Sequence, residues 1–159
     1  MGEPNGTCRL ISVTLDKASI GRAAHAVEHE RAVAIYDLVE ENSFAVDGCP
    51  GPYHLVIGLA ENRLMLDVRS DAGEPVLTHG IALGAFRRVV KDYFLVCESY
   101  HEAIRSGSPS RIEAIDMGRR GLHDEAADLL LQRLDGKLEL DFDTARRVFT
   151  LIFALHWKG

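Results

Sequence analysis

At 159 residues, 47% hydrophobic and 26% charged, the chain has the length and composition of one globular domain able to bury a core. Its net charge of −6 opposes a phosphate backbone, so nucleic acid is not an expected partner. The most apolar stretch, Val148 to Trp157, is about half of what a bilayer crossing needs, and MGEPNGTCRL lacks a signal peptide's basic-then-apolar order. A cytoplasmic protein without membrane association is the expectation.

Taken in chain order, residues 1–8 read as a flexible tail to a single domain spanning 1–159. Arg9 to Leu15 alternates, with Ile11, Val13 and Leu15 on one face of a strand. A polar link through Ser19 and Gly21 leads to a helix from about Ala24 to Asn42, with Val27, Ala34, Ile35, Leu38 and Val39 as its apolar stripe. Asp47 to Pro52 holds too much proline and glycine for a helix and predicts a loop. Tyr53/Leu55/Ile57/Leu59 and Leu64/Leu66/Val68 then form two apolar strand faces, joined by the two-residue link Glu61-Asn62. After Asp71-Ala72-Gly73 a further strand returns over Val76 to Leu83.

The second half is helical. Phe86 to Arg105 carries one broad apolar arc and ends at Ser106-Gly107-Ser108-Pro109. Ser108 with Pro109, or Ser110 with Glu113, starts the next helix. Gly118 and Gly121 predict a break in it, at Gly121. Gly136 ends the following segment, and Asp141 or Asp143 caps a last helix to His156 that is apolar nearly all round. The fold class is α+β: a small antiparallel meander of three or four strands, covered on one face by a helical C-terminal half. The helices starting at Phe86 and Asp143 are expected over the sheet.

The segments Val27–Leu38, Phe86–Phe94, Ile115–His123 and Asp143–Leu151 together resemble the bacterial uncharacterised protein family 0262, and the likeness runs from about Leu10 to Gly159. The resemblance implies a bacterial cytosolic protein made as one domain. It brings no catalytic residue, cofactor or partner with it.

Several polar groups stand out against this frame. His25-Ala26-Val27-Glu28-His29 fits an inverted zincin pattern, but a zinc site needs a third ligand and a sizeable cleft. A solvated helix start is the plainer reading, and no metal or other cofactor is expected. The three cysteines, Cys8, Cys49 and Cys97, are widely spaced and form no C-x-x-C pair, as reduced cytosolic thiols would be. Arg31 falls inside an apolar stripe, one turn from Glu28, where a guanidinium is costly unless paired. It is either a structural bridge to Glu28 or an arginine aimed at an anionic ligand.

Three arginine doublets, Arg87-Arg88, Arg119-Arg120 and Arg146-Arg147, lie near expected helix starts or breaks, which also favour anions. Converging doublets would clamp a phosphate or carboxylate. Asp92, Glu113, Asp116, Asp124 and Asp143 could instead neutralise them as ordinary salt bridges. His123, beside Asp124 and Glu125, is the candidate general acid or base. His101 and His156 fall toward apolar arcs and read as hydrogen-bonded core histidines.

Two functions follow. The first is a non-enzymatic protein-binding or regulatory role through helix faces, since no catalytic spacing appears. Leu95 on a charged arc and Trp157 on a polar stripe then mark a partner surface or homodimer seam. The alternative is a small enzyme or binding protein for a phosphorylated or other anionic metabolite, gripped by the doublet arginines.

Overall fold

The structure, a computed structural model, describes residues 7–156. Strand β1 (Leu10–Leu15) leads through one helical turn, α1 (Lys17–Ile20), to helix α2 (His25–Glu40). A short strand β2 (Phe44–Ala45) precedes the hairpin strands β3 (Tyr53–Ala60), β4 (Arg63–Ser70) and β5 (Pro75–Ala82). A 3-10 turn (Leu83–Phe86) opens α3 (Arg87–Ser106), followed by α4 (Pro109–Leu134), β6 (Glu139–Leu140) and α5 (Phe142–His156). Of the expected tail, residues 1–6 lie outside the described part, while the Cys8 carbonyl accepts a hydrogen bond from Phe44 N at 3.0 Å.

The meander forms as its pattern dictates. Leu55 faces Val68, Ile57 faces Leu66 and Leu59 faces Leu64 across β3 and β4. Glu61 and Asn62 both take positive φ, 52° and 62°, the backbone of a tight two-residue hairpin turn. β1 joins this antiparallel set in parallel, beside β3, giving the order β1-β3-β4-β5. Its register slips between Leu10 and Ser12. That irregularity breaks the expected Ile11/Val13/Leu15 face: Leu10 and Val13 are buried, whereas Ile11 and Leu15 are only partly so.

One core joins the inner face of the sheet to Leu38 of α2, Phe86, Val89, Leu130 and Leu134 of α4, and Phe149 and Ile152 of α5. The sheet is therefore covered by more than the two expected helices. α5 supplies its continuous buried stripe, Phe86 and the first turns of α3 add Val89 with Val90 and Tyr93 packed against the cluster, and the second half of α4 joins them. The ring of His79 on β5 reaches the Arg133 carbonyl of α4 at 3.2 Å.

Helix α4 also crosses Gly121 without a break. An interior glycine costs about 1 kcal/mol relative to alanine, while burying one leucine returns about 1.5–3 kcal/mol. The buried Ala126, Ala127, Leu130 and Leu134 beyond it hold the helix together. Arg119 and Arg120 consequently sit in mid-helix and not at a free helix end. Where a glycine does end a helix, Gly107 takes φ 75° after α3 and its N–H returns to the Ala103 carbonyl at 3.0 Å.

Candidate functional site

The segment from α1 into α2 builds the site with the least satisfied chemistry. Ala24 stands at the N-cap of α2 and has no side-chain acceptor for the first-turn N–H groups. Two turns in, Arg31 shares the inward stripe of Val27, Ala34 and Leu38 and is 2% exposed, the one charged residue among the buried described residues. Its Nη1 donates to the Gly21 carbonyl at 3.1 Å and lies 3.6 Å from Glu28 Oε2. That carboxylate oxygen also accepts from the Ala23 N–H at 2.7 Å. The Glu28–Arg31 bridge thus exists, but through Nη1 alone.

Arg31 Nε and Nη2 are buried and have no hydrogen-bond partner. Their N–H groups lie side by side along one edge of the guanidinium, the edge that takes two oxygens of a carboxylate or phosphate at once. A buried cation left without acceptors costs several kcal/mol. A cavity of about 480 Å³ adjoins it, lined by Lys17, Gly21, Arg22, His25 and Glu28 together with Arg31. Sequence reasoning singled out Arg31 but missed Lys17 and Arg22. Their signal was a cluster of bases just before a helix start with no capping side chain.

The doublets are placed otherwise. Arg88, at the start of α3, bonds Asp92 at 3.0 Å and also Glu125 of α4. Arg119 bonds Asp116 and lies over the Tyr100 ring at 4.5 Å. Arg120 Nε is 3.0 Å from the same Asp116, whose carboxyl the Arg119 hydrogen bond holds below the usual carboxylate range. Arg146 donates to Asp124 at 2.6 Å. Arg147 donates to the Glu41 carbonyl at 3.2 Å and lies 3.8 Å from its carboxylate. Arg87 is exposed. Arg119 and Arg146 both act electrostatically on His123, and each brings its own aspartate.

His123 sits between the rings of Tyr93 and Phe149, at 5.6 and 5.7 Å. Its Nε2 meets the Arg146 carbonyl at 2.8 Å, which can only accept, so this nitrogen carries the hydrogen. Nδ1 then accepts from Arg146 Nη2 at 3.3 Å. Burial lowers the His123 pKa, and the charges of Arg146 and Arg119 add to that, against the hydrogen bond to the Arg146 carbonyl. Both ring nitrogens are engaged, which makes His123 a brace between α4 and α5.

Around it lies an aromatic group that linear spacing gave no hint of: Tyr93 packs on Phe149 at 5.6 Å and on Phe153 at 4.8 Å. Burial pushes the Tyr93 hydroxyl up to about 12, and burial likewise raises the Cys97 thiol beside it. A cleft of about 830 Å³ runs past these residues.

Other expectations are corrected or relocated. His101 and His156 are exposed and not core histidines, although His156 Nδ1 is hydrogen-bonded to the Ile152 carbonyl at 2.9 Å. Leu95 is 49% exposed, as are Ile104 at 48% and Met117 at 69%. Trp157 lies outside the described residues. Among the described residues no three His, Cys, Asp or Glu side chains gather as a metal site would require, and no helix is long and apolar enough to cross a membrane. Cys8, Cys49 and Cys97 are free thiols.

Fold and site together define a small α+β protein whose one buried charge among the described residues lines a basic cavity. The chain belongs to the Uncharacterised protein family (UPF0262), whose model matches residues 7–158. A UPF0262 protein of Xanthobacter autotrophicus is 63% identical over 155 residues, covering 96% of this chain and 94% of the relative. One from Azorhizobium caulinodans is 64% identical over 154 residues, covering 95% of each chain. A third, from Methylobacterium radiotolerans, is 60% identical over 154 residues, covering 97% of this chain and 96% of the relative. These relatives are bacterial. No solved structure matches the chain.

Proposed function

We propose that this protein binds a small anionic ligand, as a binding or regulatory protein and not as a catalyst. The observation that carries the reading is the Nε/Nη2 edge of Arg31: buried, without acceptors, and beside a cavity that also presents Lys17, Arg22 and His25. Of the two functions weighed from sequence, this geometry favours the ligand over the partner. The site moves, however, from the doublets to Arg31, since the doublets other than Arg87 have carboxylates at hand. The choice of binding over catalysis is supported by His123, the candidate acid or base from the sequence, whose two nitrogens both engage Arg146. Three free thiols support a cytoplasmic setting.

The test is a thermal-shift screen of the full chain against phosphorylated and carboxylated metabolites. A ligand at a hundred times its Kd adds about 2.7 kcal/mol, enough to move the melting point by several degrees. Stabilisation by at least one anion, abolished in Arg31→Gln, is the expected result; a screen in which no anion stabilises the protein removes the reading.

Self-association is the second reading, favoured by exposed Leu95, Ile104 and Met117 on the α3–α4 pair. Sedimentation equilibrium of the wild type and Leu95→Asp decides it, and a strict monomer across the concentration range removes it.

A further inference from the structure

The charge balance of the same cavity narrows its ligand further, and this step rests on the anion-binding reading. Lys17, Arg22 and Arg31 are three permanent cations in its wall and Glu28 is the one permanent anion, so three minus one leaves a surplus of two positive charges. This surplus sits in a chain whose net charge is −6. Of these cations Arg31 is 2% exposed and screened far less than a surface charge, whereas Lys17 and Arg22 are exposed.

Three kinds of donor meet there. The buried Arg31 edge holds two parallel N–H groups without acceptors, covered in this structure, and would take two oxygens of one group that reached it from the adjoining cavity. The start of α2, uncapped by a side chain at Ala24, reaches the cavity wall at His25, at the positive end of a 16-residue helix. Lys17 and Arg22 approach from α1 and the link after it. A carboxylate has two oxygens and one charge; it can engage the arginine edge, but then leaves the helix N–H groups and one positive charge unanswered. A tetrahedral dianion has a third oxygen for the helix end and a second charge for Lys17 and Arg22. A cavity of about 480 Å³ has room for more than a bare anion.

We infer that the Arg31 cavity is a receptor for the phosphate-monoester group of a small metabolite, two oxygens on the Arg31 edge and the third at the start of α2. The carbon part of the ligand extends toward Leu15 and Ile20, the apolar side of the same wall.

Isothermal titration at pH 7.5 and constant ionic strength tests it, with inorganic phosphate, glycerol 3-phosphate, acetate and succinate as probes on the full chain. Expected are binding of both phosphates and at least tenfold weaker binding of acetate and succinate. Arg31→Gln should lose at least tenfold in phosphate affinity. The double variant Lys17→Gln/Arg22→Gln alters two exposed side chains and should lose severalfold while keeping the wild-type melting point. It therefore reports on the site even if Arg31→Gln fails to fold. Carboxylates that bind as tightly as phosphate and still depend on Arg31 would overturn the phosphate assignment while leaving the anion site standing. Phosphate affinity unchanged in the double variant overturns the placement. Binding of none of the four probes overturns the phosphate assignment, and the wider metabolite screen then decides whether the anion reading survives.

Discussion

Arg31 and Arg146 both reach inward from a helix, yet their surroundings are opposite. Arg146 is about one-third exposed and fully engaged: Asp124 takes Nη1, His123 takes Nη2, and its own carbonyl holds His123 and Thr150. Arg31 is far more deeply buried, yet only Nη1 has an acceptor, a backbone carbonyl, with a longer contact to Glu28. The more costly position is thus the less compensated one. A fold stabilised by arginine pairing alone would show the reverse. The α4–α5 junction therefore reads as structural, and the α1–α2 segment, which carries the proposed ligand site, as the less compensated of the two.

The largest expected effect tests the structural side. Phe149 is fully buried and contacts the rings of Tyr93, His123 and Phe153. Phe149→Ala should cost about 3–5 kcal/mol in urea unfolding. A loss below about 1 kcal/mol would mean the junction is not the anchor described.

Next comes the same substitution made in both regions. Arg31→Met keeps an unbranched side chain and removes a buried charge that is paired at Nη1 alone, so it should be neutral or stabilising by about 1–3 kcal/mol in phosphate-free buffer. Arg146→Met strands Asp124 and His123 Nδ1 and should destabilise by about 1 kcal/mol, a modest figure because the pair is partly solvated. Destabilisation of both variants by similar amounts would erase the contrast.

The smallest effect is a pH slope. The His123 pKa is lowered in the fold, so the folded state favours the neutral ring relative to the unfolded chain. Its contribution is fully present above about pH 6.5, the unfolded value, and is lost as pH falls toward the lower folded value. The urea midpoint of the wild type should therefore drop between about pH 7 and 5, and His123→Gln should flatten that slope. Asp116, also lowered, acts in a separate window below about pH 4. An identical slope in His123→Gln would take His123 out of the account.

Local pattern alone determined most of the elements. Alternation marked Leu55/Ile57 and Leu64/Leu66/Val68 because a strand's side chains have a period of two, and Glu61-Asn62 read as a hairpin because only a tight turn fits two residues. Arg31 was visible for the same reason, a charge at a position where helical spacing demanded an apolar side chain. Other outcomes were decided by contacts between distant residues. Gly121 stays helical because burial beyond it outweighs a glycine's local cost, and β1 pairs in parallel with β3, a strand distant in sequence, with a register shift between Leu10 and Ser12. Arg119 and Arg120 meet Asp116 within a helical turn, but three other doublet arginines meet acids on other elements, Glu125 for Arg88, Asp124 for Arg146 and Glu41 for Arg147, at sequence separations that no spacing rule covers. The basic cavity likewise exists only once α1 folds back beside the start of α2, bringing Lys17 and Arg22 around an arginine that the sequence could locate but not surround. Periodicity reports what each residue needs, whereas only packing decides which distant group supplies it.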